Sequence, residues 1–335
     1  ALLLLLGLGG CGGANVRGEG DGETKSASAA PERKTGPIKL AVVPKAVGFD
    51  FWEQVKIGAE CAASKHKDVT VQWDGVQAET NVSGQVDLLS NFVTQGVDGL
   101  VYAATDAKVL ADVTAEAKRA GLVVVNIDSG TDPQPADVAL FATDNEASAS
   151  KAADLLADAL GPGNHDIALI PFQPGTSTND QRVEGFTAGL AKHPNLKKVA
   201  EQSSESDYNE GLRVTEDILT AHPDLDGIFA ANEPGVLGAA EAVRQAGKAG
   251  KVKIIGWDAA PDELKAVRDG TIDALVVQNP FRMGYDGVNA AVASLREGKQ
   301  PKNTDTGVTF VTKENIDSPE VKAVLKPSCA NPPTG

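Results

Sequence analysis

Histidine, cysteine and methionine are scarce in this chain: four, three and one in 335 residues. The histidines (His66, His165, His193, His222) stand far apart, with no metal-ligand spacing. Basic residues are the next shortage. Lys and Arg number 31 against 46 Asp and Glu, a formal net charge of -15. That balance argues against a partner held through its phosphate backbone, which needs basic patches. It also keeps a surface from sticking to anionic membranes. Aromatic residues make up only 4% of the chain. No G-x-S-x-G nucleophile elbow, H-E-x-x-H zinc motif or G-x-x-x-x-G-K-[ST] phosphate loop occurs. Neither a cofactor nor a metal is therefore expected.

What is present begins with an address. The run Ala1-Leu2-Leu3-Leu4-Leu5-Leu6-Gly7 leads into Leu8-Gly9-Gly10-Cys11. It is far shorter than the roughly 18 apolar residues of a membrane-spanning helix. The stretch resembles the bacterial lipobox (Leu, any residue, small residue, Cys), which implies an export signal and a lipid on the Cys11 thiol. The chain starts without Met or a basic segment, so the signal is expected to begin upstream. Gly7-Leu8-Gly9-Gly10-Cys11-Gly12 also matches the dinucleotide fingerprint G-x-G-x-x-G. That fingerprint must open a helix, and the Gly-rich residues that follow would not sustain one.

Residues 12–36 are Gly, Ser, Ala, Thr and charge with little to bury, which predicts a flexible tether. From Ile38 to residue 311, apolar runs alternate with helical periodicities, enough for two domains. The runs at 38–44, 69–73, 97–103, 122–127, 166–171, 225–231, 251–257 and 272–278 are mostly near-continuous. That is the pattern of parallel strands covered on both faces. Between them Val82, Val86, Leu89 and Val93 share a helical face, as do Val109, Val113 and Ala117, with Gly121 as a stop. Asp50-Phe51-Trp52-Glu53 and Asp207-Tyr208-Asn209-Glu210 have the form of capping boxes. The alternation predicts an α/β fold of doubly wound parallel sheets. The strand count is too high for one ordinary sheet, and the pattern breaks at 128–143, so two similar halves are expected. Cys61 and Cys329 remain as an even pair. They form either one disulfide or a buried thiol and a tail thiol, and their spacing leaves both open.

Ligands of such sheets bind beyond the carboxyl ends of the strands. There the chain carries Pro44-Lys45, residues 102–106, 126–128 and 171–181, Ala231-Asn232-Glu233, Trp257-Asp258 and Gln278-Asn279, with Phe51, Trp52 and Trp257 nearby. Any one Asp or Asn at such a point can be read as a helix cap. As a converging set they suit a neutral polyhydroxylated ligand: carboxylates and amides for hydroxyls, flat rings for C–H faces.

Ile38-Lys39-Leu40-Ala41-Val42-Val43-Pro44-Lys45, Phe51-Trp52 and Gly58-Ala59 resemble periplasmic sugar-binding proteins of ABC importers, the ribose-receptor class. So do Leu219-Thr220-Ala221-His222-Pro223-Asp224, Ile228-Phe229-Ala230-Ala231-Asn232-Glu233 and Ile254-Ile255-Gly256-Trp257-Asp258. The likeness runs in order over roughly 38–311. It implies two α/β lobes joined by a three-crossing hinge, 37–142 plus 279–304 and 143–278 plus 305–317, with a tail at 318–335. It further implies stacking by Phe51 and Trp52 and hydrogen bonds from Asp128, Asn232, Asp258 and Gln278. The chain departs from the ribose pattern at Lys45, Ala103, Ser129, Asp180 and Ser206. Pro44-Lys45-Ala46-Val47-Gly48 and residues 83–96 are similar to autoinducer-2 and rhamnose receptors. That pattern assigns Lys45, Asp128, Asp180 and Gln181 to the ligand. A charge-assisted contact is also expected across the cleft, Lys45 neutralising Asp180 or Asp128.

The resulting expectation is a monomeric binding protein, not an enzyme, in the periplasm or cell envelope. It would be lipid-anchored through Cys11, its only contact with the membrane, and would bind no nucleic acid. It would capture a monosaccharide or similar polyol for an ABC permease in the inner membrane. An autoinducer-2-type signal receptor and an envelope sugar-processing enzyme are the alternatives. A LacI-type repressor core would need a DNA-binding headpiece where this chain has a signal and a tether.

Overall fold

The computed structural model describes residues 33–330 and 332. The Cys11 motif and residues 12–32 of the expected tether lie outside them. Strand and helix alternate as β1 (Ile38–Val43), α1 (Asp50–Ser64), β2 (Val69–Trp73), α2 (Val82–Gln95) and β3 (Gly99–Tyr102). Next come α3 (Val109–Arg119), β4 (Val123–Ile127), β5 (Ala139–Ala142), α4 (Asn145–Leu160) and β6 (His165–Ile170). Then follow α5 (Ser177–Leu190), β7 (Leu196–Glu201), α6 (Tyr208–Ala221), β8 (Gly227–Ala230) and α7 (Glu233–Gln245). The remainder is β9 (Lys253–Trp257), α8 (Pro261–Asp269), β10 (Ala274–Val277), α9 (Pro280–Glu297), β11 (Thr304–Asp305), β12 (Thr309–Thr312) and α10 (Pro319–Leu325).

These strands make two six-stranded sheets, ordered β11-β5-β4-β3-β1-β2 and β12-β10-β9-β8-β6-β7. Every pairing between named strands is parallel except β10 with β12. The chain passes from one sheet's lobe to the other after β5, after β10 and between β11 and β12, so two lobes share a hinge of three crossings. Side chains of each strand alternate between two cores. In the first lobe Leu40, Val42, Val101 and Val125 face α1 and α9, while Ala41, Val43, Leu100 and Val124 face α2 and α3. In the second, Ile228, Ala230 and Ile254 face α6 and α7, and Phe229, Ala231 and Ile255 face α4 and α5. Burial on both faces explains the near-continuous apolar runs.

The reading of local signals needs two corrections. Asp207 caps α6, accepting a hydrogen bond from the Glu210 amide, but Asp50 caps nothing. It lies inside α1, whose N-cap is Phe49 and has no side-chain cap. The strands β5, β7, β11 and β12 also lie outside the apolar runs. β7 exposes Lys197 and Lys198 at a sheet edge, where charge guards unpaired backbone and hides the apolar signal.

Helix α1 lies so close to α9 that only glycine fits at the contact. A Cβ on Gly284 would sit 2.0 Å from the Val55 carbonyl oxygen, and one on Gly58 2.0 Å from that of Phe281. The C-terminal segment is fastened to the same helix, because Cys61 of α1 and Cys329 form a disulfide. Gly284→Ala should force these helices apart and cost about 1–3 kcal/mol or more, read as a lower urea midpoint. Reduction, or Cys61→Ser with Cys329→Ser, should cost about 2–5 kcal/mol, and an unchanged midpoint would show that the bridge contributes nothing to stability.

Candidate functional site

The carboxyl ends of both sheets' strands meet between the lobes around a small cavity of about 20 Å³. Two aspartates occupy matching places. Asp128 follows β4 and Asp258 follows β9, each the fourth strand of its sheet counting from β2 or β7. Both adopt left-handed backbone, φ 57° and 83°. Asp tolerates that region better than most residues, and such strain concentrates at functional sites. Each turn is pinned by its own amide, Asp128 to the Phe141 carbonyl and Asp258 to that of Val276, both at 2.9 Å. The carboxylates thereby face the cleft from opposite lobes.

Two cations balance them. Lys45, directly after Pro44 at the tip of β1, is only 3% exposed. Its Nζ lies 3.1 Å from Asp128 Oδ2 and 3.9 Å from Glu79 Oε2, and donates to Thr178 Oγ1 at 3.1 Å across the cleft. Arg182 projects from α5 and is 2% exposed. Its guanidinium donates to Asn145 Oδ1 (2.8 Å), the Ala231 carbonyl (2.7 Å) and Gln278 Oε1 (3.2 Å). It approaches Asp128 to 4.0 Å and lies over the Trp257 ring, 4.1 Å from its centroid. Burial lowers the Arg182 pKa while Asp258, Asp128 and Glu79 oppose the shift. Burial also pushes Asp258 up to about 6, against the pull of Arg182 and of the Gln278 amide, which donates to Asp258 Oδ1 at 2.7 Å.

Other contacts join the lobes here. Ser206 Oγ donates to Glu79 Oε2 at 2.7 Å and in turn accepts from the Asn232 amide at 3.1 Å. Glu233 accepts from the backbone amides of Asp50 and Phe51 at 3.1 and 3.0 Å. Phe51, Trp52 and Phe172 supply flat walls. Among the described residues, no group of three or more His, Cys, Asp or Glu is arranged to hold a metal ion.

Seven sequence-selected residues, Lys45, Phe51, Trp52, Asp128, Asn232, Asp258 and Gln278, line this one cavity. Asp180 and Gln181 do not. Asp180 is exposed on α5, and Gln181 Oε1 accepts from Asn145 Nδ2 at 3.2 Å. Lys45 accordingly pairs with Asp128 and Glu79 within the first lobe, rather than with a carboxylate across the cleft such as Asp180. Glu79 and Arg182 line the cavity unforeseen, as do Phe172 and Glu233, which lie in the strand tips at 171–181 and 231–233 but were not assigned to the ligand. For Arg182 a signal existed: it shares the buried face of α5 with Asn179, Phe186 and Gly189. Asp180, two residues away at 3.6 residues per turn, points to the opposite side.

Comparison with known proteins agrees with this architecture. The periplasmic binding protein domain family matches residues 40–300. The chain belongs to this family. Within it the binding protein is of the ribose-receptor class. It is 31% identical to a D-ribose/D-allose-binding protein of Pseudomonas aeruginosa over 287 residues, 84% of this chain and 89% of that one. Its fold is similar to that of an Agrobacterium vitis ABC transporter solute-binding protein with bound D-fucose, at 38% identity and TM-score 0.82, over 86% of this chain and all of that one. An Agrobacterium radiobacter carbohydrate transporter solute-binding protein in complex with D-arabinose gives 33% identity and TM-score 0.83, over 88% and 100%.

Removing the Arg182 charge should leave buried Asp258 without its cation and Asp128 with Lys45 alone. Arg182→Met is expected to destabilise the protein by about 3–5 kcal/mol, measured by chemical denaturation without ligand. A loss below about 1 kcal/mol would mean that the aspartates are neutralised by other partners.

Proposed function

We propose that this chain captures a monosaccharide or similar polyol between its lobes and delivers it to an ABC permease. It would do so as a monomer in the periplasm or cell envelope, held to the membrane by a lipid on Cys11. The observation that carries the reading is the buried wall itself. Carboxylates, amides and two cations from both lobes converge beside aromatic faces, a combination suited to ring hydroxyls and C–H surfaces. The names of its relatives, which carry D-ribose, D-allose, D-fucose and D-arabinose, support the same class of ligand.

In this reading Phe51, Trp52 and Phe172 stack on the sugar, and Asp128, Asp258, Asn232, Lys45, Arg182 and Gln278 meet its hydroxyls. Ligand bound to one lobe completes its contacts only when the other lobe arrives, so binding shifts the hinge equilibrium toward closure. The sugar leaves unchanged, because the site holds it without attacking a bond.

Thermal-shift and calorimetric titrations with D-ribose, D-allose, D-fucose, D-arabinose, polyols and autoinducer-2 test this. A true ligand at 100 times its Kd should add about 2.7 kcal/mol to the folded state. Asp258→Asn should weaken that ligand by about 1–3 kcal/mol, roughly 5- to 150-fold. Silence from the whole panel would remove the small-sugar reading, a response to autoinducer-2 alone would make the protein a signal receptor, and turnover would make it an enzyme.

A further inference from the structure

Helix α1 starts without a cap of its own. Phe49 at its N-cap offers no side-chain acceptor, and the first intrahelical bond runs from the Glu53 amide to the Phe49 carbonyl. The amides of Asp50 and Phe51 therefore have no partner within the helix, as helix geometry requires of the first turn. Both donate to a single carboxylate from the other lobe, that of Glu233 at the start of α7, which is 6% exposed. The positive end of the α1 dipole favours a negative group at that point. Phe51 and Trp52, the next residues of the turn, form part of the cavity wall.

We propose that Glu233 is a positioning residue that couples lobe closure to the shape of the binding wall, by capping α1 from the opposite lobe. Closure thus completes a helix, and the cap fixes Phe51 and Trp52 at the moment the cavity is enclosed. The inference rests on the sugar-site reading of the cleft for its purpose, but the contact itself can be tested without sugar. Glu233 is held apart from the direct ligand contacts proposed above: its two oxygens are engaged by the α1 amides.

The surroundings give the contact a pH signature. Asp258 from the end of β9 and Asp50 from α1 place negative charge around Glu233. Glu263 of α8, its own carboxyl pushed well above the ordinary value by burial and by these neighbours, lies near them, and Arg182 and Lys45 line the same cavity. Burial and then Asp258 push Glu233 up to about 7 from its ordinary 4.5, although the two amides pull it down. With the lobes apart the carboxylate meets water and keeps its ordinary value. The closed form then binds more protons between those values. Its advantage is complete below the ordinary value and is lost as pH rises through about 7.

The test uses the full chain and the variants Glu233→Ala and Glu233→Gln. Hydrogen exchange at the Asp50 and Phe51 amides, in sugar-free solution and with D-fucose, D-arabinose or D-ribose, should be roughly 10-fold faster in Glu233→Ala, the scale of a lost helix cap. Exchange at Ala59, Ala62 and Ala63 of the same helix should be unchanged, which reports that the fold is intact. Glu233→Gln, which still accepts one amide, should fall between. For whichever sugar binds, wild-type affinity should fall between pH 6 and pH 8, and Glu233→Gln should reduce that dependence. Equal exchange at Asp50 and Phe51 in wild type and Glu233→Ala overturns the proposal, as does an unaltered pH profile in Glu233→Gln. If none of the three sugars binds, the sugar reading fails while the exchange comparison still decides the role of Glu233.

Discussion

Charge inside a water-poor interface is the constraint on which this molecule depends. The first lobe brings Lys45, Glu79 and Asp128 to the cleft, and the second brings Arg182, Glu233 and Asp258. Buried ions are costly unless paired and hydrogen-bonded; Lys45 pairs with Asp128 inside the first lobe, and further contacts cross the gap. Lys45 reaches Thr178, Ser206 reaches Glu79, and Arg182 lies within 4.0 Å of Asp128. The sheets exist, in functional terms, to hold these groups opposite one another. Left-handed turns at Asp128 and Asp258 can be kept because core strands on both sides fix the backbone that carries them.

Much of the fold was legible because parallel strands buried on both faces cannot be polar. The runs at 38–44 and 225–231 announce β1 and β8 for that reason. Elements that answer to different physics were not legible. β7 lies at a sheet edge with Lys197 and Lys198 turned outward, and β11 has only two residues. Neither buries enough apolar surface to write a pattern. The three hinge crossings, by contrast, came from family likeness and not from periodicity.

The site divides along the same line. Residues at strand tips could be found by topology alone, since open parallel sheets bind ligands there. Topology marks the tips that hold Lys45, Asp128, Asn232, Asp258 and Gln278, and the family likeness singles these residues out within them. Arg182 sits mid-helix, where helical phase decides what faces the cleft. Phe186 and Gly189 held that phase in plain view, yet the family likeness pointed to Asp180 instead. Glu79 and Glu233 owe their place to partners on the other lobe, and such partners are invisible to any local reading.

The disulfide has a mechanical meaning beyond its contribution to stability. Val321, Val324 and Leu325 of α10 pack into the second lobe's core, whereas Cys61 belongs to a helix of the first. Only residues 326–328 separate Leu325 from Cys329, a span of about 14 Å at full stretch. The bridge is therefore a fourth covalent crossing between the lobes, and residues 324–327 leading to it line a pocket together with Asp50 and Gln54 of α1. The lobes can swing only through arcs that keep this short strap within its reach. A motion that slides one sheet past the other is closed to them, and the route left open is rotation about the strapped edge, like the covers of a book about a stitched spine.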